Sequence, residues 1–296
     1  MVKPAPASLG ADACSSSSQR LGEPLAGSAP HARSWIVIEQ PGPWGRDALH
    51  ESRMSPAIAD WLDHLSAAID ARVILARRAD RRRIEGLPRN VWLAVSDPLL
   101  TDAPRMRRAL VDNVHQITEW DLGAMALGKL PEVGEEVTGP IEFVCTHSGR
   151  DACCALLGRA RALHTPNSWE CSHLGGHRFA ATSVLLPLGG VFGRLSPTDA
   201  LDVEHLRGLS YLSPALQVAD IAVRHIADLS VSARLTTQPD AHRDPGSGDT
   251  IWAQVFDTHG SRWSVRCESS AIERPASCNA EASMATIWRA VEVAPH

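Results

Sequence analysis

Residues 141–180 decide how this chain reads: Ile141-Glu-Phe-Val-Cys145-Thr-His-Ser-Gly-Arg150-Asp-Ala-Cys-Cys154, a helix-like interval, then Trp169-Glu-Cys-Ser-His173-Leu-Gly-Gly-His177-Arg-Phe-Ala180. An apolar run ends at Cys145, as a buried strand would, and a polar loop leads to the Cys153-Cys154 pair. Asp151 stands where a helix N-cap is expected, with the helix running over about Asp151–Leu163. A short strand over Trp169–Ser172 and a glycine turn carrying His173 and His177 follow. Two soft sulfur donors and two imidazoles, all at the edges of predicted strands or at a helix start, form a candidate metal-ligand set.

Such a set suits either a zinc ion or a two-iron cluster with mixed ligation. The histidines have the His-x3-His spacing of structural zinc sites, but Cys145 and Cys154 are Cys-x8-Cys, a loop wide enough to wrap a larger object. Two histidines four apart on a helix would suggest a zinc peptidase; here Gly175 and Gly176 separate them and no glutamate follows His173. The glycines instead let backbone amides approach a bound group. Of the vicinal pair, Cys154 falls in the first helical turn, where the amide field favours a thiolate, and Cys153 reads as its packed neighbour. Cys171 alternates in strand fashion and reads as buried, Cys278 as structural. His147 and Arg150 lie inside the cysteine loop, available for outer hydrogen bonds to a bound group or for the surface. The absence of a Cys-x-x-Cys argues against a thiol oxidoreductase.

The chain has 296 residues, 44% hydrophobic and 21% charged, with a net charge of −5. That composition fits a globular protein with ample core and argues against a general nucleic-acid binder. No run of apolar residues is long enough to span a membrane. The seven cysteines are an odd number in a large chain whose first residues lack the apolar centre of a secretion signal. A reducing, cytoplasmic location is therefore expected.

Residues 1–33, rich in Ala, Ser, Pro and Gly, are expected to be an unstructured leader in which Cys14 has no role. Over residues 34–135 an α/β domain is expected. It has strands at Trp35–Glu39, Val73–Ala76 and Val91–Val95 and an amphipathic helix at Ser55–Ile69, where Ile58, Trp61, Leu62, Leu65 and Ile69 recur at helical spacing. The Pro/Gly/Glu stretch Leu130–Pro140 marks a boundary. Residues 136–230 then give strand, helix, strand, a strand pair (Phe179–Leu186 and Val191–Leu195) and a last helix at Pro214–Leu229, an order compatible with a thioredoxin-like layer. Ser196–Asp199 reads as the cap of a helix entry. Residues 231–249 read as a linker, and 250–296 as a β-rich segment with strands at Ile251–Phe256, Trp263–Cys267 and Ile287–Val293. The fold class is α/β, and no internal repeat is evident. The arginine group at Arg77, Arg78, Arg81, Arg82 and Arg83 reads as a solvated loop, with docking of an acidic redox partner as the alternative.

Five segments together resemble the sucrase/ferredoxin-like family: Glu39-Gln-Pro-Gly-Pro-Trp-Gly45, Val144-Cys-Thr-His147, Arg150-Asp-Ala-Cys-Cys154, Trp169–Ala180 and Arg274-Pro-Ala-Ser-Cys278. The resemblance implies a thioredoxin-like ferredoxin holding a [2Fe–2S] cluster on Cys145, Cys154, His173 and His177. It implies a one-electron carrier that meets a redox partner protein, a reductase or an acceptor, rather than a catalyst with its own substrate. The sequence shows no carboxylate pair of the glycosidase type. Neutral imidazoles in place of two thiolates would raise the reduction potential, and an imidazole at the rim could couple it to pH. A non-redox protein with a structural Cys2His2 zinc is the alternative.

Overall fold

The computed structural model describes residues 9–10, 13–79, 88–241, 249–278 and 280–296. Part of the expected leader is ordered: helix α1 (Cys14–Arg20) buries Cys14, Ser15 and Ser18. Strand β1 (Ser34–Glu39) is followed by helix α2 (Pro56–Ala68), which starts on an extended Ser55 with proline in the first turn, where its missing N–H costs nothing. Ile58, Leu62 and Ile69 are buried and Trp61 and Leu65 pack against the same core, as their spacing requires. Strands β2 (Ala71–Arg78), β3 (Arg89–Val95) and β4 (Arg105–Val111) follow, then two 3-10 turns at Val114–Glu119 and Leu122–Leu127.

The stretch expected to be a boundary contributes a strand, β5 (Glu135–Glu136), which pairs with β4. Strand β6 (Ile141–Cys145) leads to a helix that opens with a π turn at Cys154–Gly158 and continues as α3 (Arg159–His164). Then come β7 (Trp169–Cys171), β8 (Ser183–Leu186), β9 (Gly190–Phe192) and β10 (Leu206–Leu209). Ser196–Asp199 closes a turn on itself, the Ser196 amide and hydroxyl both donating to Asp199, so no α-helix starts there. Helix α4 (Pro214–Ile226) precedes an antiparallel sheet of β11 (Leu235–Pro239), β12 (Thr250–Asp257), β13 (Arg262–Pro275) and β14 (Ala282–Pro295). Strand β11 thus falls in the expected linker, whose residues 242–248 lie outside the described part, as do Arg81, Arg82 and Arg83.

The fold is α/β. Among the described residues its main sheet has ten strands in the order β10-β9-β8-β6-β7-β2-β1-β3-β4-β5. Within it one pattern occurs twice. Strands β1 and β2 run parallel, joined through α2, with β3 antiparallel to β1 and β4 antiparallel to β3. Strands β6 and β7 run parallel, joined through α3, with β8 antiparallel to β6 and β9 antiparallel to β8. Each unit has the βαβ-then-hairpin order expected of a thioredoxin-like layer. The repeat is one of topology, with no counterpart in the sequence. The two units join edge to edge through antiparallel β2 and β7, so strands on both sides of residues 130–140 share one sheet.

That seam is held by charge. Glu170 is fully buried between Arg77, at 2.6 Å, and Arg159. Arg77 also lies 4.3 Å over the Trp44 ring. On the opposite face Trp35, Trp92, Phe143 and Trp169 form the core, with Trp92 edge-on to both Phe143 and Trp169. Helix α4 fastens the small sheet to the large one. Ala215, Val218, Ala219 and Val223 pack against Ala253, Val255, Trp263 and Val265, while Ile221 joins Phe192 and Leu206. Among the described residues no helix is long and apolar enough to cross a membrane.

Removing one partner of a buried ion pair strands the other charges. Glu170→Ala should lower the unfolding free energy by about 3 kcal/mol or more in a denaturant titration. Glu136→Ala, which breaks the exposed pair with Arg105, should cost about 1 kcal/mol or less.

Candidate metal centre

The centre is assembled at the ends of two parallel strands and the start of one helix. Strand β6 delivers a fully buried Cys145, opposite Cys171 on β7. The Cys145 amide donates to Thr182 O and the Thr146 amide to Cys171 O, so the exit of the strand is fixed on both sides. The loop that follows rests on the Gln40–Gly45 segment of the other unit. His147 Nε2 donates to Gly45 O at 2.6 Å, and its ring meets Trp44 edge-on at 5.9 Å. Gly149 lies so close to this segment that a Cβ would stand 2.8 Å from both Trp44 O and Gly45 O. Burial pushes the His147 pKa down and favours the neutral ring, whose one proton the bond to Gly45 O places on Nε2.

Asp151 caps the helix as its position in the sequence suggests: its Oδ1 accepts from the Cys153 amide at 2.8 Å. The first turn is then π-helical over Cys154–Gly158, and π turns recur at functional sites. Gly158 makes the approach to β6 possible, since a Cβ there would sit 1.9 Å from Cys145 O. Cys154 packs in the core cluster that holds Cys145, while Cys153 packs with Cys14 and Ala180. The Cys145 thiol is held well below its ordinary pKa by a hydrogen bond from Cys154, against the effect of burial and with help from His173. Cys154 is raised by the same hydrogen bond. Burial raises Cys171, an inert core thiol beside the site.

The glycine turn supplies the imidazoles. Gly175 and Gly176 both have positive φ, and a Cβ on Gly176 would collide with the Arg207 guanidinium. The His173 and His177 rings lie 5.1 Å apart, tilted by 31°. His177 Nε2 donates to Ala276 O at 2.6 Å. The Nδ1 atoms of both histidines are buried and bond to nothing in the structure. With its Nε2 proton fixed, His177 turns a free lone pair inward at Nδ1, the arrangement a metal-binding imidazole needs. The ligand atoms of Cys145, Cys154 and His173 all lie within 4.8 Å of one another, and His177 stands outside that trio.

Residues 25–206, more than half of the chain, match the family described as Sucrase/ferredoxin-like. The chain belongs to the sucrase/ferredoxin-like family. No curated protein and no solved structure matches it. The match to the sucrase/ferredoxin-like family stops short of α4 and of the antiparallel sheet, although Ala276, which orients His177, is in the segment joining β13 to β14.

Two cations escape a reading of the sequence. Arg72 donates to His173 O at 3.2 Å, and Arg207 to Gly175 O at 2.9 Å. Burial pushes the Arg207 guanidinium down to about 9, Arg178 adds to that, and the thiols of Cys154 and Cys145 oppose it. Arg72 on β2 and Arg207 on β10 carry no local signal; only the strand order brings them to the turn. A cleft of ≈ 410 Å³ opens beside the site, lined by Arg46, Arg72, His147, Arg150, Ser172 and His173 among others. Arg77, expected in a solvated loop, is instead committed to Glu170 and Trp44, and Arg78 lies over Trp169.

Gly158→Ala should destabilise the protein by about 2 kcal/mol or more, because the clash is with backbone that cannot rotate away. Gly123→Ala, whose Cβ would meet only an ordinary contact at 3.6 Å, should change the thermal midpoint little.

Proposed function

We propose that this protein is a one-electron carrier whose [2Fe–2S] cluster is held by Cys145, Cys154, His173 and His177. The observation that carries the reading is the pair of buried, unpartnered Nδ1 atoms, on His173 and His177, in one glycine turn beside the buried sulfurs of Cys145 and Cys154. An unsatisfied buried ring nitrogen is costly, and two of them in one turn make sense as ligands. When bound, the cluster supplies one-electron redox chemistry at a potential raised by imidazole in place of thiolate.

The chain's own residues set the conditions for that chemistry. Arg72, half-buried, and Arg207, buried, both against the glycine turn, favour the more negative, reduced state. Ala276 O holds the His177 proton at Nε2 and keeps Nδ1 free to ligate. Cys171, Leu174 and Phe143 exclude water from the sulfur side. Of the two proposed histidine ligands, His173 is the one that lines the cleft, which puts its ring on the solvent side of the site. Arg46, Arg72 and Arg150 give the cleft a positive rim suited to an acidic redox partner, although Asp47 and Asp63 line it as well.

Anaerobic purification followed by a visible spectrum and iron and sulfide assays tests the assignment. A brown preparation with about two iron and two sulfide per chain is expected. A colourless protein carrying zinc on these four residues overturns it in favour of the Cys2His2 zinc alternative. Cys145→Ser should abolish the colour. Voltammetry between about pH 6 and 10 should show a potential that falls as the pH rises, as proton uptake on reduction at a rim imidazole requires. His173→Cys should lower the potential by on the order of 100 mV and flatten that slope. A wild-type potential independent of pH would remove the proton coupling.

A further inference from the structure

The helix start that brings Cys154 to Cys145 points its neighbour Cys153 elsewhere, into a pocket closed by α1 and the segment joining β13 to β14. There Cys153 Sγ lies 3.6 Å from Cys14 Sγ and 3.4 Å from Cys278 Sγ, and Cys278 Sγ lies 3.6 Å from Cys14 Sγ. Asp151 completes the group, 3.7 Å from Cys14 Sγ and 3.4 Å from Cys278 Sγ. Cys14 comes from α1 and Cys278 from the segment joining β13 to β14, so the group gathers three distant parts of the chain. Cys14, Asp151 and Cys153 are buried.

We propose that Cys14, Cys153, Cys278 and Asp151 bind one structural zinc ion, separate from the Cys145, Cys154, His173 and His177 centre. The argument is geometric. A tetrahedral zinc with Zn–S near 2.3 Å and Zn–O near 2.0 Å places its sulfurs about 3.8 Å apart and each sulfur about 3.5 Å from the oxygen. The three sulfurs form a nearly equilateral triangle close to that size, with the Asp151 carboxylate 3.4 and 3.7 Å from two of them. A disulfide would join two sulfurs and leave the third against the carboxylate; the even spacing selects no pair.

The surroundings support ligation. The Cys14 amide points at Cys278 Sγ at 3.5 Å and the Ser15 hydroxyl at Cys153 Sγ at 3.3 Å, the kind of donors that thiolate ligands receive. Asp151 is oriented by the amides of Cys153 and Cys278, at 2.8 and 3.0 Å. Four protein donors leave no open position, so the ion is structural and not catalytic. Binding releases the thiol protons and ties α1 and the β13–β14 segment to the start of the helix that carries Cys154. Cys14 and Cys278 both lie outside residues 25–206, the span of the family match.

The test is elemental analysis of the full-length chain, with cobalt(II) titration as a second readout. Wild type should carry about one zinc per chain beyond any iron, and cobalt in its place should give thiolate charge-transfer and tetrahedral d–d bands. Cys14→Ser and Cys278→Ser should each reduce zinc to near none while leaving the iron content at the wild-type level. Cys145→Ser should keep the zinc, so a protein without iron would defeat the electron-carrier reading and leave this one standing. A folded wild type with neither zinc nor a cobalt spectrum overturns the proposal. So does zinc retained in both cysteine variants, or a mass two hydrogens lower that marks a disulfide among the three.

Discussion

The buried carboxylate of Asp151 is the constraint from which the local structure follows. By accepting the Cys153 amide it starts a helix one residue after a loop that would otherwise be free to slide. By accepting the Cys278 amide it fixes the segment whose Ala276 carbonyl orients His177. Its pKa is lowered even though burial pushes upward, because the amides of Cys278 and Cys153 and the nearby His177 outweigh that effect. One side chain therefore sets the direction of two adjacent cysteines and, through the β13–β14 segment, the tautomer of a histidine. A π turn immediately after the cap lets Cys153 and Cys154 face different clusters, one toward α1 and the β13–β14 segment and one toward Cys145.

The two topological units support each other at that point. The loop after β1 and the loop after β6 occupy equivalent positions, each following the first strand of its unit, and they meet through His147 and Gly45. The Gln40–Gly45 segment thus acts as a brace for the cysteine loop, and Arg77 ties the brace to the seam by covering Trp44 while pairing with Glu170. The first unit has no thiol or imidazole at the end of its strand, where Glu39 instead accepts hydrogen bonds from Asn90. It provides rigidity, and the second unit provides the donors.

Much of this was legible in the sequence where apolar pattern and local chemistry agreed. The run ending at Cys145, the Asp151 cap, α2 and the strands at 251–256 and 263–267 follow from periodicity and end signals alone. Strand β4 was missed because Arg105, Arg107 and Arg108 mask the inward Met106, Ala109 and Val111; its arginines are paired with β5 and the segment beside it, which only the fold reveals. Strand β10 was missed because Arg207 is buried in mid-strand, satisfied by Ser28 and Gly175. Cys14 lay in a serine-rich stretch that looks unstructured, and its burial depends on partners 137 and 264 residues away. At the candidate metal centre Cys145, Cys154, His173 and His177 stand out by residue type and spacing. The cations behind them and the Ala276 carbonyl do not, because each is brought there by strand order.

The edge-to-edge joining of β2 and β7 has a further consequence. Had the two units been separate molecules, the same ten-stranded sheet would exist only above some threshold of protein concentration and would come apart on dilution. Covalent linkage fixes the effective concentration of each unit at the other's edge, independent of abundance in solution. The brace therefore stays on the cysteine loop in a protein present at any copy number, and the otherwise sticky edge of each half is never offered to a stranger.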